Sequence, residues 1–369
     1  MLDTDCEIKV YDRDFNWIAA TRAAESVQFT RELYGAGTFQ ITVSARTRGA
    51  ADMLTGGNIV VINGDPHRSG IIRDFTVERK RAGCLYSIRG ETGAGLARQR
   101  LSVPPTQAQD PSALGYDRIN APAETVIKHY INANLASPYD AARAIPGLIV
   151  APDMGRGAAF PAQLRFGKLD EDLADICRYA GMGYEICADC AAGKWVMDVI
   201  PGADRTVSQT ANGPVIFAAE EQNVSEYRYV ENRANYKNAA YCGGAGENES
   251  RLIQVVGGGA GLDRYEVFID CGNANVTDLL ALGQIKLADY QAAKTLDLTA
   301  LPRVFVFGRD YFLGDLVTVY VNDIGLALDS RIEAVTEVWE RGAGYSAQAR
   351  FGGKIPNLFT VLADKSAVR

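Results

Sequence analysis

Residues 311–353 read YFLGDLVTVYVNDIGLALDSRIEAVTEVWERGAGYSAQARFGG, and this stretch decides the fold class. Leu316, Thr318 and Tyr320 point to one side of an extended chain while Val317, Val319 and Val321 point to the other, the period of two that marks a β-strand. Gly314-Asp315 precedes the run and Asp323-Ile324-Gly325 follows it, so the segment turns back on itself as a hairpin. In the returning arm, Arg331 to Glu340, the alternation predicts a packed face of Ile332, Ala334, Thr336 and Val338. Arg331, Glu333, Val335 and Glu337 are then expected on a mostly wet face. No catalytic residue set interrupts the pattern, which is that of a sheet or barrel.

The same signal recurs at the other end of the chain. Ile8 and Val10 alternate with polar neighbours, Asp12 to Asn16 form a turn, and Trp17 to Ala19 begin a return arm. Thr38 to Val43, Asn58 to Ile62, Gly70 to Glu78 and Leu85 to Arg89 follow as further short strands, the spacing of a barrel or sandwich. Between about Leu101 and Leu164 the prolines at 104, 105, 111, 122, 138, 146, 152 and 161 leave room for one helix, roughly Pro122 to Leu135. A second helix is predicted from Asp170 to Ala180, with acidic residues in its first turn and Leu173, Ile176 and Cys177 on one face. Tyr184 to Ile200 reads as a hairpin turning at Gly193, and Gly257 to Gly261 as a loop between two strands. A third helix is predicted from Asn275 to about Leu296, with Asn275 or Thr277 as candidate cap and Leu279, Leu282, Ile285, Ala288 and Ala292 at helical spacing.

With 369 residues, 47% of them apolar and 22% charged, the chain exceeds the usual size of a single core, and two or more subdomains are expected. No apolar run approaches the roughly 20 residues of a membrane helix. Met1 to Asp5 are acidic where a signal peptide is basic, so folding in a cytoplasm is expected. Seven scattered cysteines, an odd number, read as reduced packing residues rather than a disulfide framework. The net charge of -7 and a pI near 5.1 argue against a basic groove that grips nucleic acid. An acidic surface instead lets DNA pass without sticking.

Four motifs invite chemical readings. Gly90-Glu91-Thr92-Gly93-Ala94-Gly95 resembles a phosphate loop in outline, but Leu96-Ala97 stand where lysine and a hydroxyl are required, so a strand-to-helix turn is expected. Cys187-Ala188-Asp189-Cys190 has the spacing of a metal knuckle, with Cys177 one element upstream, yet only His67 and His129 are available to complete four ligands. The sequence does not decide whether Cys187 and Cys190 bind a metal. Neither histidine sits in a hydrolase motif. Asp170-Glu171-Asp172 and Glu220-Glu221 offer carboxylate pairs of the kind that cleave glycosides, but acidic clusters at helix starts and on turns are routine.

The series Gly37-Thr38-Phe39-Gln40-Ile41-Thr42-Val43, Gly57-Asn58-Ile59, Gly70-Ile71-Ile72 and Ile88-Arg89-Gly90 resembles the opening barrel of siphophage tail-tip hub proteins. Gly193-Lys194-Trp195, Gly202-Ala203-Asp204-Arg205, Gly261 to Glu266, Leu313 to Val317 and Phe351-Gly352 are similar to the rest of that family, in order along nearly the whole chain. The resemblance implies a mainly β fold with α/β insertions, an α+β chain with two tail-tube-like antiparallel β-barrels. It places the first barrel at 1–101, the second at 215–240 and 301–353, insertions at 102–214 and 241–300, and a tail at 354–369. It further implies a virion protein assembled in the host cytoplasm, a homotrimeric ring joining a distal tail protein or tail tube above to tip fibres or receptor-binding proteins below. Phage DNA would cross it unbound, and longer relatives carry C-terminal fibre or wall-cleaving domains that a separate protein would supply here. No catalytic, cofactor or metal residue is assigned on this reading. The rivals are a tail-associated cell-wall hydrolase using Glu171 or Glu221, and a module that binds host-surface carbohydrate.

Overall fold

A computed structural model describes residues 6–81, 83–105, 115–301 and 304–352; the segment 354–369 and Pro111 lie outside the described residues. Seven strands come first: β1 (Ile8–Tyr11), β2 (Trp17–Thr21), β3 (Ala24–Glu32), β4 (Thr38–Ser44), β5 (Ile59–Ile62), β6 (Ser69–Lys80) and β7 (Gly83–Thr92). The middle of the chain holds β8 (Asp117–Pro122), helix α1 (Ala123–Ile131), β9 (Leu148–Val150), β10 (Ala159–Leu164), helix α2 (Leu169–Ala180), β11 (Gly183–Asp189) and β12 (Lys194–Ile200). Then follow β13 (Asp204–Arg205), β14 (Ile216–Phe217), β15 (Val224–Asn232), β16 (Ala239–Gly243), β17 (Ile253–Gly257), β18 (Glu266–Asp270) and helix α3 (Val276–Leu287). The chain closes its described part with β19 (Ala293–Ala300), β20 (Leu316–Val321), β21 (Leu326–Glu340) and β22 (Gly344–Phe351).

Fourteen of these strands form one sheet, in the order β15-β19-β22-β21-β3-β4-β7-β6-β5-β1-β2, with β20 branching from β21 and carrying β13 and β14. Three small sheets, β10-β8, β11-β12-β9 and β17-β16-β18, are formed by the chain between β7 and β13 and between β15 and β19. The fold is therefore mainly β and largely antiparallel, with few helices. Among the described residues the pairings run as an open path, and no pair closes either half into a barrel. The reason is visible at β3, which bonds β4 on one side and β21 on the other, so the edge that would close the first half joins it to the second.

The sheet nevertheless curls around two separate cores. Ile8, Val10, Phe29, Phe39, Ile41, Met53, Ile62 and Ile88 fill the first, and Trp339 reaches into it from β21. In the second, Phe217 meets Phe305, Tyr311 and Phe351 at ring-centroid distances of 6.1, 5.2 and 5.8 Å, above Val317, Val319, Val321, Leu296 and Leu298. A third core unites α1, α2, α3 and the small sheets.

β21 serves both halves because it is fifteen residues long, about 50 Å at the usual rise per residue. Leu326 to Arg331 pair with β20, and residues beyond pair with β22 and β3. The register against β22 shifts between Ile332 and Ala334, a β-bulge at Glu333. This bulge overturns the simple alternation expected for the arm. Ile332 is core-facing before it, but after it Val335, Glu337 and Trp339 turn inward while Thr336 and Val338 are only half-buried. One extra residue exchanges the faces of everything downstream.

Glu337 is thus a buried carboxylate between the two cores rather than a solvated one. Its oxygens accept from Arg68 Nε and Nη2, both at 2.9 Å, and from the Tyr345 hydroxyl at 2.9 Å. Arg68 also donates to Asp65 at 2.9 Å, and its guanidinium lies 5.9 Å from the centre of the Trp339 ring. The fork-shaped donor and the carboxylate match in geometry, which offsets the cost of removing both from water.

The third predicted helix is shorter than its spacing suggests. α3 begins as expected, with the Asn275 side chain accepting from the Asp278 amide at 3.0 Å, but residues 293–300 are extended as β19. There Leu296, Leu298 and Ala300 are buried at a period of two in the second core, so packing overrides helical propensity. Among its described residues the proline-punctuated region contains the expected helix and three short strands besides, and β3, with Val27 and Phe29 buried, has no counterpart among the strands expected from the sequence.

The buried pair yields a direct expectation. Glu337→Ala leaves Arg68 with Asp65 alone and the Tyr345 hydroxyl without its acceptor, and should lower the unfolding free energy in urea by about 3–5 kcal/mol. A loss below about 1 kcal/mol would mean the pair behaves as a surface salt bridge.

Candidate assembly interface

The residues singled out from sequence do not converge on a cleft. Asp172 accepts from the Ser102 hydroxyl at 2.7 Å and fastens the start of α2, Glu171 pairs with Lys168 at 2.7 Å on the surface, and Asp170 lies 3.5 Å from Arg98. Glu220 and Glu221 are exposed in the turn between β14 and β15. His129 bonds Asp117 at 2.9 Å, a tie between α1 and β8. Gly90 and Gly93 are glycines because of close packing: a Cβ would stand 2.2 Å from the Ile71 carbonyl oxygen at the first and 2.2 Å from that of Ile186 at the second. Cys187 and Cys190 separate, Cys187 facing His67 at 3.6 Å while Cys190 packs against the third core.

Charge instead locks the elements outside the large sheet together, buried around Glu124 and Lys128 and partly exposed around Arg178. Glu124, fully buried on α1, accepts from Arg156 Nε at 2.7 Å and Nη2 at 3.0 Å and from Lys128 Nζ at 2.7 Å, and Lys128 also reaches Asp198 at 2.9 Å. The Arg156 hydrogen bonds hold the Glu124 carboxyl well below the usual carboxylate range, against the opposing effect of burial. On α2, Arg178 lies between Asp175 and Asp289 at 3.0 and 3.3 Å. Burial and then their mutual repulsion raise Asp175, and burial raises Asp289. Close by, the bulge residue Glu333 is pushed up to about 7 by burial, with Arg350, Arg178 and Arg331 opposing and Glu32 reinforcing.

The eleven-strand path leaves an open edge at each end, and the branch through β20 ends at β13 and β14. β2 pairs only with β1 and β15 only with β19 among the described residues, so each presents a row of backbone groups to a neighbour. Trp17, at the start of β2, is 63% exposed. A third surface is the outer face of β17-β16-β18, where Val255, Tyr241 and Phe268 lie directly opposite one another across the three strands and are 48%, 38% and 55% exposed. Ile253 extends this apolar row, and Arg251 lies over Phe268 at 5.4 Å while bonding Asp270 at 2.7 Å. Sequence reading missed the row, although Ile253, Val255 and Val256 already showed a strand apolar on both faces.

Comparison with known proteins agrees with this architecture. The model of the family described as siphovirus ReqiPepy6 Gp37-like protein matches residues 7–353. The chain therefore belongs to that siphovirus tail protein family. No curated protein sequence matches it. Among solved structures it is similar to the tail protein from Neisseria meningitidis MC58, with a TM-score of 0.58, 14% identity, and coverage of 95% of this chain and 97% of that one. The 43 kDa tail protein of prophage MuSo2 from Shewanella oneidensis gives a TM-score of 0.57 at 16% identity, covering 94% and 98% of the two chains. Prophage tail protein gp18 from Listeria monocytogenes EGD-e gives 0.55 at 10% identity, covering 98% and 99%. At such identities these likenesses establish a common fold. Among the described residues no helix is long and apolar enough to cross a membrane.

The raised carboxyls make a pH dependence with a definite sign. Glu333 holds its proton more tightly folded than unfolded, so its contribution is full below the unfolded value near about 4.3 and is lost as pH rises through about 7. Thermal stability should fall across that window, and Glu333→Gln should flatten the fall; an unchanged slope in the variant would refute the assignment.

Proposed function

We propose that this chain is the baseplate hub of a siphophage tail tip, a non-enzymatic structural protein whose three copies close into a ring on the tail axis. The observation that carries the reading is the open-ended sheet wrapped around two cores, in a chain that matches a siphovirus tail family over residues 7–353. Free edges at the two ends of the main strand path, β2 and β15, suit head-to-tail contact, and such contact leaves neither of them open only when the ring closes.

On this reading residues 1–101 form a first tail-tube-like barrel unit, and 215–240 with 301–353, joined by β19, a second, each left open within the single chain. Residues 102–214 and 241–300 are insertions, save that β19 at the end of the latter belongs to the large sheet. The ring joins the distal tail protein or tail tube above to tip fibres or receptor-binding proteins below, and serves as conduit or gate for DNA ejection. A net charge of -7 favours passage of DNA without retention. The protein is assembled in the host cytoplasm and resides in the virion tail tip. The separate engagement of Asp170, Glu171 and Asp172 supports a structural over a hydrolytic role.

Native mass measurement combined with electron microscopy tests the proposal. Three chains per particle and annular images are expected. A chain that stays monomeric or dimeric at high concentration, and forms no ring on assembling tails, would overturn it.

A further inference from the structure

The knuckle-like cysteines do not meet, but one of them meets different partners. The structure brings His67 Nδ1, a carboxylate oxygen of Glu185 and Cys187 Sγ within 4.8 Å of one another, where the loop before β6 crosses β11. His67 Nδ1 lies 2.9 Å from Glu185 Oε1 and 3.6 Å from Cys187 Sγ. A cavity of about 20 Å³ adjoins them, room for one water-sized occupant.

We propose that His67, Glu185 and Cys187 bind a divalent cation of borderline softness, of the zinc class, with solvent in the fourth position. The donor set is one imidazole, one thiolate and one carboxylate, the ligand types that such an ion takes. With metal–nitrogen bonds of about 2.0–2.1 Å and metal–sulfur bonds of about 2.3 Å, a tetrahedral ion holds nitrogen and sulfur about 3.6 Å apart. The His67 to Cys187 separation already has that value. Nitrogen and oxygen ligands stand about 3.4 Å apart in the same geometry, so the Glu185 carboxylate has to withdraw by about 0.5 Å. On binding, the Cys187 thiol proton leaves to solvent and the thiolate and carboxylate balance the charge of the ion.

The surroundings orient the ligands. Arg31 Nη2 donates to Glu185 Oε2 at 3.0 Å, which occupies the far oxygen and leaves Oε1 toward His67. The Ser69 hydroxyl donates to the Pro66 carbonyl at 2.6 Å and accepts from the Ala188 amide at 2.9 Å, so the segment bearing His67 is pinned to the strand bearing Cys187. The Asp65 carboxylate accepts from the His67 amide at 3.0 Å and fixes the turn. An ion here clips the inserted β11 to the first half of the large sheet.

The test uses the purified full chain, reduced and freed of metal, titrated with Co²⁺ and with Zn²⁺. One equivalent of Co²⁺ should produce a near-ultraviolet thiolate-to-cobalt charge-transfer band, and Zn²⁺ should raise the melting temperature relative to chelator. Cys187→Ser should abolish the band, His67→Ala should abolish or greatly weaken it, and Cys190→Ser should keep it. Arg31→Gln should weaken binding about 10- to 100-fold. The metal-free melt of each variant, compared with that of the unmodified chain, separates lost ligation from lost folding. No band and no thermal shift at excess metal, or a band that survives Cys187→Ser, would overturn the site and leave His67, Glu185 and Arg31 as an ion-pair cluster.

Discussion

A single strand common to two cores is the constraint on which the rest of this molecule depends. β21 is long enough to hold β20 with its first part and β22 and β3 with its second, so neither half of the sheet is complete without it. Its bulge at Glu333 rotates Val335, Glu337 and Trp339 inward, and Glu337 then has to find a cation at the seam. Arg68 supplies it from the far side of the sequence, with Trp339 and Tyr345 excluding water around the pair. A misplaced register here would bury the wrong side chains in both cores at once, which makes the strand a register gauge for the whole sheet.

The inserted elements depend on a different kind of contact. Their own core is apolar, but they are tied together and to the sheet by charge: Glu124 with Arg156 and Lys128, Arg31 with Glu185, and Arg178 between Asp175 and Asp289 near Glu333. Ionic seams are directional and specify one docking geometry, whereas apolar surface alone tolerates sliding. Fixed geometry of these elements sets the positions of their outer surfaces. The exposed row of Val255, Tyr241 and Phe268 is one such surface.

Much of the sheet was legible because half-buried strands write their period into the sequence: Ile8 and Val10, Thr38 to Val43, and Val317, Val319 and Val321 all lie in the strands that their alternation predicts. The helices starting near Ala123, Leu169 and Val276 were legible from spacing and from the Asn275 cap. What failed did so for physical reasons. A bulge adds one residue without altering composition, so the inward turn of Glu337 could not be read from alternation. Leu296 and Leu298 fit a helix or a strand equally until the second core claims them. Cys187 and His67 lie far apart in sequence, and only the crossing of β11 over the loop before β6 brings them together, while the Cys187 to Cys190 spacing drew attention to the wrong partner.

Native-state hydrogen exchange followed residue by residue tests the shared-strand account most directly. If β21 couples the two cores, amides of β4 and β7 in the first half and of β19 and β22 in the second open with the same free energy and respond together to denaturant. Two distinct opening energies, with one half exchanging freely while the other stays protected, would contradict it.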